Sequence, residues 1–214
     1  MGLNGALVTL VAQAQGANMP ALCGIYLNRA RMISFFLFVP LSVLIIFVGS
    51  TLDYGSENHT AIKLAHSFIM LNLPGVYFMS LFDMTRGFLN CFKATWIPML
   101  IQVTATCLHV FWCHLFINKL GWGVTGIGLA FTLTSFILLF TITIYTNCLK
   151  EMREVLFWHD SLIWSGWLEY LKLALTSSIV KNASFAALDI FLALRLSDQE
   201  FEFSLVVIVL SQVS

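Results

Sequence analysis

Residues Met32–Ser50 read MISFFLFVPLSVLIIFVGS, an unbroken run without a charged side chain. A hydrocarbon core of about 30 Å takes about 20 helical residues to cross, and this run has that length. Working outward, Ile62–Phe82, Ile97–Ile117, Val124–Cys148 and Leu168–Leu194 have the same character and room to span. Two shorter runs flank them. Gly2–Ala17 is too short and too polar for a lone span, with Asn4, Gln13 and Gln15 inside it, and Phe203–Val213 stops at the chain end. The pattern predicts an all-α, polytopic transmembrane helix bundle with five full crossings and an incomplete helix at each end.

Composition agrees. Of 214 residues, 59% are hydrophobic and 10% charged, against ~45–50% and ~25% in soluble domains. A soluble globule with so few charges cannot cover its surface, so lipid is the expected solvent. Eleven basic residues balance eleven acidic ones, which gives nucleic-acid binding no electrostatic support. Cys23, Cys91, Cys107, Cys113 and Cys148 are scattered without a C-x-x-C pair and read as small apolar residues, with neither a disulfide frame nor a metal site. G-x-S-x-G, H-E-x-x-H and G-x-x-x-x-G-K-[ST] do not occur, so the chain is not read as an enzyme and no cofactor is expected.

Short loops obey a Lys/Arg bias toward the cytoplasm. One set of expected loops holds Arg29, Arg31, Arg86, Lys93, Lys150 and Arg153; the other holds Lys63, Lys119 and Arg195. The first set is therefore expected on the cytoplasmic side. Asn58-His59-Thr60 is a possible glycosylation sequon on the other side, whereas Asn182-Ala183-Ser184 lies mid-span and is expected to stay unused. The Ala12-Gln13-Ala14 stretch lacks the basic flank of a cleaved signal, and Ala6 stands where myristoylation needs Ser or Thr. Pro40 and Pro74 fall inside spans, as cavity-lining breaks or as packing kinks. Residues 151–166 alternate Trp158 and Trp164 with acids and read as a linker along the membrane surface.

Ionisable groups inside a span cost at least ~2.5–3.5 kcal/mol and point to function. Leu168–Leu194 holds two, Lys181 and Asp189. At about 100° per residue, Ser178, Asn182 and Asp189 fall on one helix face, while Lys181 stands about 80° round from Asp189. Two readings of Asp189 stand. As a desolvated carboxylate beside a cavity it binds and releases protons; near the outer headgroups it pairs with Arg195 instead. Asp83 and Arg86, spaced i, i+3, form a helix-end pair that reads first as a local surface interaction. His66, His109 and His114 lack metal-site spacing and read as packed or interfacial.

Four ordered stretches resemble the eukaryotic branch of the multidrug and toxin extrusion (MATE) family of secondary transporters. GLNGALVTLVAQAQGANMPALCGIYLNRA (Gly2–Ala30) is similar to its second helix and the segment after it, and LFDMTRGFLNCFKATWIP (Leu81–Pro98) to the end of its fourth. GWGVTGIGLAFTLTS (Gly121–Ser135) and WLEYLKLALTS (Trp167–Ser177) are similar to the starts of its sixth and seventh. The resemblance implies residues 1–148 as family helices two to six of the first lobe, 149–166 as a cytoplasmic interlobe linker, and 167–214 as helix seven and part of eight. It further implies a chain that is a partial product, about one lobe plus the start of the second.

The implied activity is export of a small organic cation or metabolite across the lipid bilayer of a plasma, vacuolar or vesicle membrane, by antiport with protons or sodium ions. Ser184 and Asp189 stand where the family commonly has two glutamates, so one acid survives, shortened by a methylene. Gln13, Gly16 and Arg86 match the family pattern; Asn90, Cys91, Phe92 and Thr176 depart from it. Asp189, Asn182, Ser178, Lys181 and Gln13 are the expected coupling and cavity residues. A lipid-linked oligosaccharide flippase of related architecture, which calls for several basic cavity residues, and a truncated product inactive on its own are the alternatives. A seven-helix receptor would need Asp-Arg-Tyr-like and Asn-Pro-x-x-Tyr motifs, and neither occurs.

Overall fold

Backbone N–H and C=O groups in lipid must be satisfied within the segment, so the apolar runs have helix as their available conformation. The computed structural model describes residues 2–55, 59–149 and 166–195. Helices α1 (Gly2–Gly16), α2 (Pro20–Gly55), α3 (His59–Cys91), α4 (Trp96–His114), α5 (Gly123–Cys148) and α6 (Trp167–Arg195) follow one another, with a single π turn, Leu115–Lys119, after α4. Among the described residues, four segments are long and apolar enough to cross a membrane: Pro20–Gly49, Ile62–Cys91, Trp96–Lys119 and Gly123–Cys148. The fifth expected crossing forms α6, 29 residues long. It is not among the four, and its sequence carries Glu169, Lys172, Lys181, Asp189 and Arg195.

Large apolar side chains face outward, as in a protein solvated by lipid: Phe47 is 67% and Val110 66% exposed. Pro40 and Pro74 lie inside α2 and α3 without ending either helix. Three of the expected loop arginines are not in loops. Arg29 and Arg31 belong to α2, which starts at Pro20 rather than near Met32, and Arg86 belongs to α3. Helix continues through these charges because each side chain finds a polar or aromatic neighbour: Thr85 for Arg31, Asp83 for Arg86 and the Tyr26 ring for Arg29.

The chain divides into two compact units, residues 7–167 and residues 1–6 with 168–214. In the larger, tight turns end the helices. Asn18 (φ 57) closes α1, where Met19 N–H donates to Ala14 C=O at 2.9 Å, and Pro20 opens α2. A left-handed residue followed by a first-turn proline is the usual way to stop one helix and start another. Lys93 (φ 60) does the same after α3, with Ala94 N–H on Leu89 C=O at 3.1 Å. Across the π turn, the rings of Trp112 before it, Phe116 within it and Trp122 after it stack at 5.9 and 5.6 Å.

Small residues let α3 and α5 meet closely, the usual means of helix association in lipid. Gly128 lies against the Phe68 carbonyl and Gly75 against Thr132, while the Thr132 hydroxyl donates to Leu71 C=O. Helices α2 and α3 pack through a register set by Arg31 with Thr85, Ser34 with Ser80, Phe38 with Tyr77 and Gly49 with His66. Residue numbers rise on one helix as they fall on the other, so the two run antiparallel.

Candidate functional site

The predicted polar stripe lies on α6, in the smaller unit. Because α6 is unbroken from Trp167 to Arg195, the helical spacing that aligns Ser178, Asn182 and Asp189 holds along it. The first turn of α1 packs beside the first half of α6. Tyr170, 1% exposed, donates its hydroxyl to Leu3 C=O at 2.7 Å. Gly2 leaves no room for a side chain next to Ser178, and a methyl group at Gly5 would meet Ser177 at 3.2 Å. Ser178 is thus half-buried at a helix seam, whereas Lys181 and Asn182 are exposed. The side chains of Ser184 and Asp189 lie outside the described residues, as does Asn58.

In the larger unit, Gln13 is exposed in the last turn of α1. Asp83 and Arg86 form the expected ion pair, at 3.2 Å with both side chains about one-third exposed. Between them, Thr85 is fully buried and turns toward α2. Its hydroxyl donates to Leu81 C=O at 2.8 Å and accepts from Arg31 Nη2 at 2.9 Å. Arg31 forms no ion pair among the described residues; one buried hydroxyl from a residue 54 positions away anchors its guanidinium.

Sequence reading missed that anchor, since Arg31 looked like a loop charge. It is testable. Thr85→Val is expected to lower stability by about 1–3 kcal/mol, the cost of leaving a buried charged donor without its acceptor. Thr85→Ser should be close to neutral. Thermal unfolding of the purified protein in detergent checks both.

From its spacing His109 reads as packed or interfacial. The structure joins it across two helices, Nδ1 to the Thr134 hydroxyl at 3.1 Å and Nε2 to Cys113 Sγ at 3.5 Å. No group of three or more His, Cys, Asp or Glu side chains able to hold a metal occurs among the described residues.

Comparison with known proteins bears on the whole arrangement. The MatE family model matches residues 1–115. Protein DETOXIFICATION 17 of Arabidopsis thaliana is 28% identical over 63% of the chain, and Protein DETOXIFICATION 35 of the same plant is 30% identical over 63%. Protein DETOXIFICATION 16 is 25% identical over 84%. The matched stretches span only 28%, 28% and 37% of those relatives. Among solved structures, the eukaryotic MATE transporter AtDTX14 superposes with a TM-score of 0.75 at 20% identity, over 89% of this chain and 43% of that one. An inward-facing multidrug resistance MATE transporter superposes with a TM-score of 0.69, also at 20% identity. At that identity the likeness is one of fold.

Proposed function

Because the chain belongs to the MatE family, we propose that it serves secondary active export of a small organic cation or metabolite, driven by exchange for protons, with Asp189 as the coupling acid. The observation that carries the reading is the stripe on α6: a carboxylate at Asp189 in line with Asn182 and Ser178 on a mostly apolar helix. A carboxylate that alternates between protonated and ionised forms can exchange a proton for a cation at one place. Asn182 and Ser178 supply neutral polar contacts for the substrate along the same face. Lys181, off that face, gives the neighbouring surface a positive charge and disfavours more than one bound cation. Gln13 serves as a further polar contact, and Asp83 with Arg86 holds the end of α3.

We further propose the organisation implied by the resemblance, with residues 1–148 as helices of one lobe, 149–166 as linker and 167–214 as the start of another. The test is flux. The chain, reconstituted in liposomes loaded with a fluorescent organic cation, should lose dye when the pH outside is lowered and stop when a protonophore collapses the gradient. Dye loss driven instead by a sodium gradient would move the reading to sodium exchange. No gradient-dependent flux from this chain, alongside flux from a full-length relative, would show that the chain alone does not transport.

A further inference from the structure

Arg31 stands at the edge of an apolar run. Met32–Ser50 is about 28 Å long as a helix, which matches a hydrocarbon core of about 30 Å. Arg31, one residue before it, therefore falls at the level of the lipid headgroups. On α3 the run Ile62–Phe82 ends just before Asp83, and the antiparallel register brings Thr85 to the same level, opposite Arg31.

Among the described residues, no carboxylate neutralises the charge at this place. A guanidinium in a protein stays charged and carries five N–H donors. That of Arg31 makes one hydrogen bond among the described residues, from Nη2 to the neutral Thr85 hydroxyl, and no ion pair. Helix α2 has a single acid, Asp53, about 33 Å away along the helix. Helix α3 also has one, Asp83, which stands about 200° round the axis from Thr85 and pairs with Arg86. Helices α1, α4 and α5 have none. Arg29 is turned about 200° away on α2, with its guanidinium over the Tyr26 ring and beside Gly166.

Hydroxyl groups surround Arg31 instead. Ser34, nearly one turn further along α2, meets Ser80 of α3 at 3.5 Å. Tyr77 lies near enough to Arg31 for the two to interact electrostatically. Arg31 is half-buried, so a ligand can still reach the side chain.

A phosphate group answers each of these features. It supplies the missing negative charge, its oxygens accept from two N–H groups of the guanidinium fork at once, and they also accept from hydroxyls. Basic pockets between spans on the cytoplasmic side bind anionic headgroups, and the Lys/Arg bias assigns this end of α2 to that side.

We propose that Arg31, oriented by Thr85 and flanked by the hydroxyls of Ser34, Tyr77 and Ser80, binds the phosphate of an anionic phospholipid at the seam of α2 and α3. The proposal stands on these two helices alone and does not rest on the export reading or on Asp189.

The test is lipid binding by the purified full chain in detergent. Its unfolding midpoint is followed against added phosphatidylglycerol, phosphatidylcholine or inorganic phosphate, and the concentration dependence gives an apparent Kd for each. The wild type should prefer phosphatidylglycerol to phosphatidylcholine, whose choline offsets the phosphate charge. Arg31→Gln should weaken phosphatidylglycerol binding about ten-fold or more, the effect of losing a charged hydrogen-bonded partner, and should change phosphatidylcholine binding little. Tyr77→Phe should weaken it about three-fold, as for one neutral hydrogen bond. Lys93→Gln, which removes an exposed charge just past the end of α3, should leave it unchanged.

Equal affinity for phosphatidylglycerol in Arg31→Gln and the wild type, or an equal loss in Lys93→Gln, would overturn the proposal. Inorganic phosphate bound as tightly as phosphatidylglycerol would overturn the assignment to lipid and make a soluble anion the ligand. Where Arg31→Gln fails to fold, Tyr77→Phe and the headgroup preference of the wild type decide, and a wild type without that preference overturns the proposal.

Discussion

Asp189→Asn is expected to abolish substrate accumulation driven by a pH gradient while leaving the protein folded. Asparagine has nearly the shape of the carboxylic acid and can hold a hydrogen bond, but it neither releases nor binds a proton near neutral pH. One-for-one exchange against a difference of about one pH unit, worth about 1.4 kcal/mol, sustains about a ten-fold substrate gradient. The wild type should approach that ratio and Asp189→Asn should settle near unity. Asp189→Glu keeps the titrating group and should retain most of the gradient. Asn182→Ala should weaken substrate binding without uncoupling, so its residual flux should still respond to pH. A ten-fold gradient sustained by Asp189→Asn would remove Asp189 from the coupling role, and the Ser178, Asn182 and Asp189 alignment would then be a packing feature of α6.

Gly75→Val should give the largest loss of stability. A Cβ at Gly75 would stand 2.8 Å from Thr132 Cα and 2.8 Å from Phe131 Cδ1, and a backbone atom cannot rotate out of the way. The two helices must separate, which loosens Gly128 from the Phe68 carbonyl and strains the Thr132 hydroxyl bond to Leu71. Overpacking of this kind costs about 3 kcal/mol. The effect is magnified in lipid, because close van der Waals contact replaces the hydrophobic effect as the force between helices. Gly16→Ala is the control, since nothing lies within 4 Å of a Cβ there, and it should change stability little. Midpoints of thermal unfolding in detergent compare the two. Equal midpoints for Gly75→Val and the wild type would mean that α3 and α5 do not need their close approach.

Much of the fold was legible because a bilayer leaves few choices. Runs such as Val124–Cys148 hold no charge and form a helix with the expected end. The start of α2 was not legible. Arg29 and Arg31 carry the signature of a loop in one dimension, and what keeps Arg31 inside a helix is Thr85 on another helix. The α6 stripe could be read from spacing alone, since helical angle depends only on residue number. That Ser178 packs beside Gly2, while Asn182 is exposed, could not.

His109 shows the same limit. Its neighbour at i+4, Cys113, is given by helical periodicity, but its partner on α5, Thr134, is 25 positions away and is brought to it only by the packing of the two helices.

The sequence by itself determined the solvent, the helical class and the family pattern, because hydropathy, helix length and motif order are properties of one strand of chain. Only the tertiary structure decided which buried polar groups are satisfied and by whom. A hydrogen bond in lipid needs its partner within about 3 Å, and helices distant in sequence supply that partner.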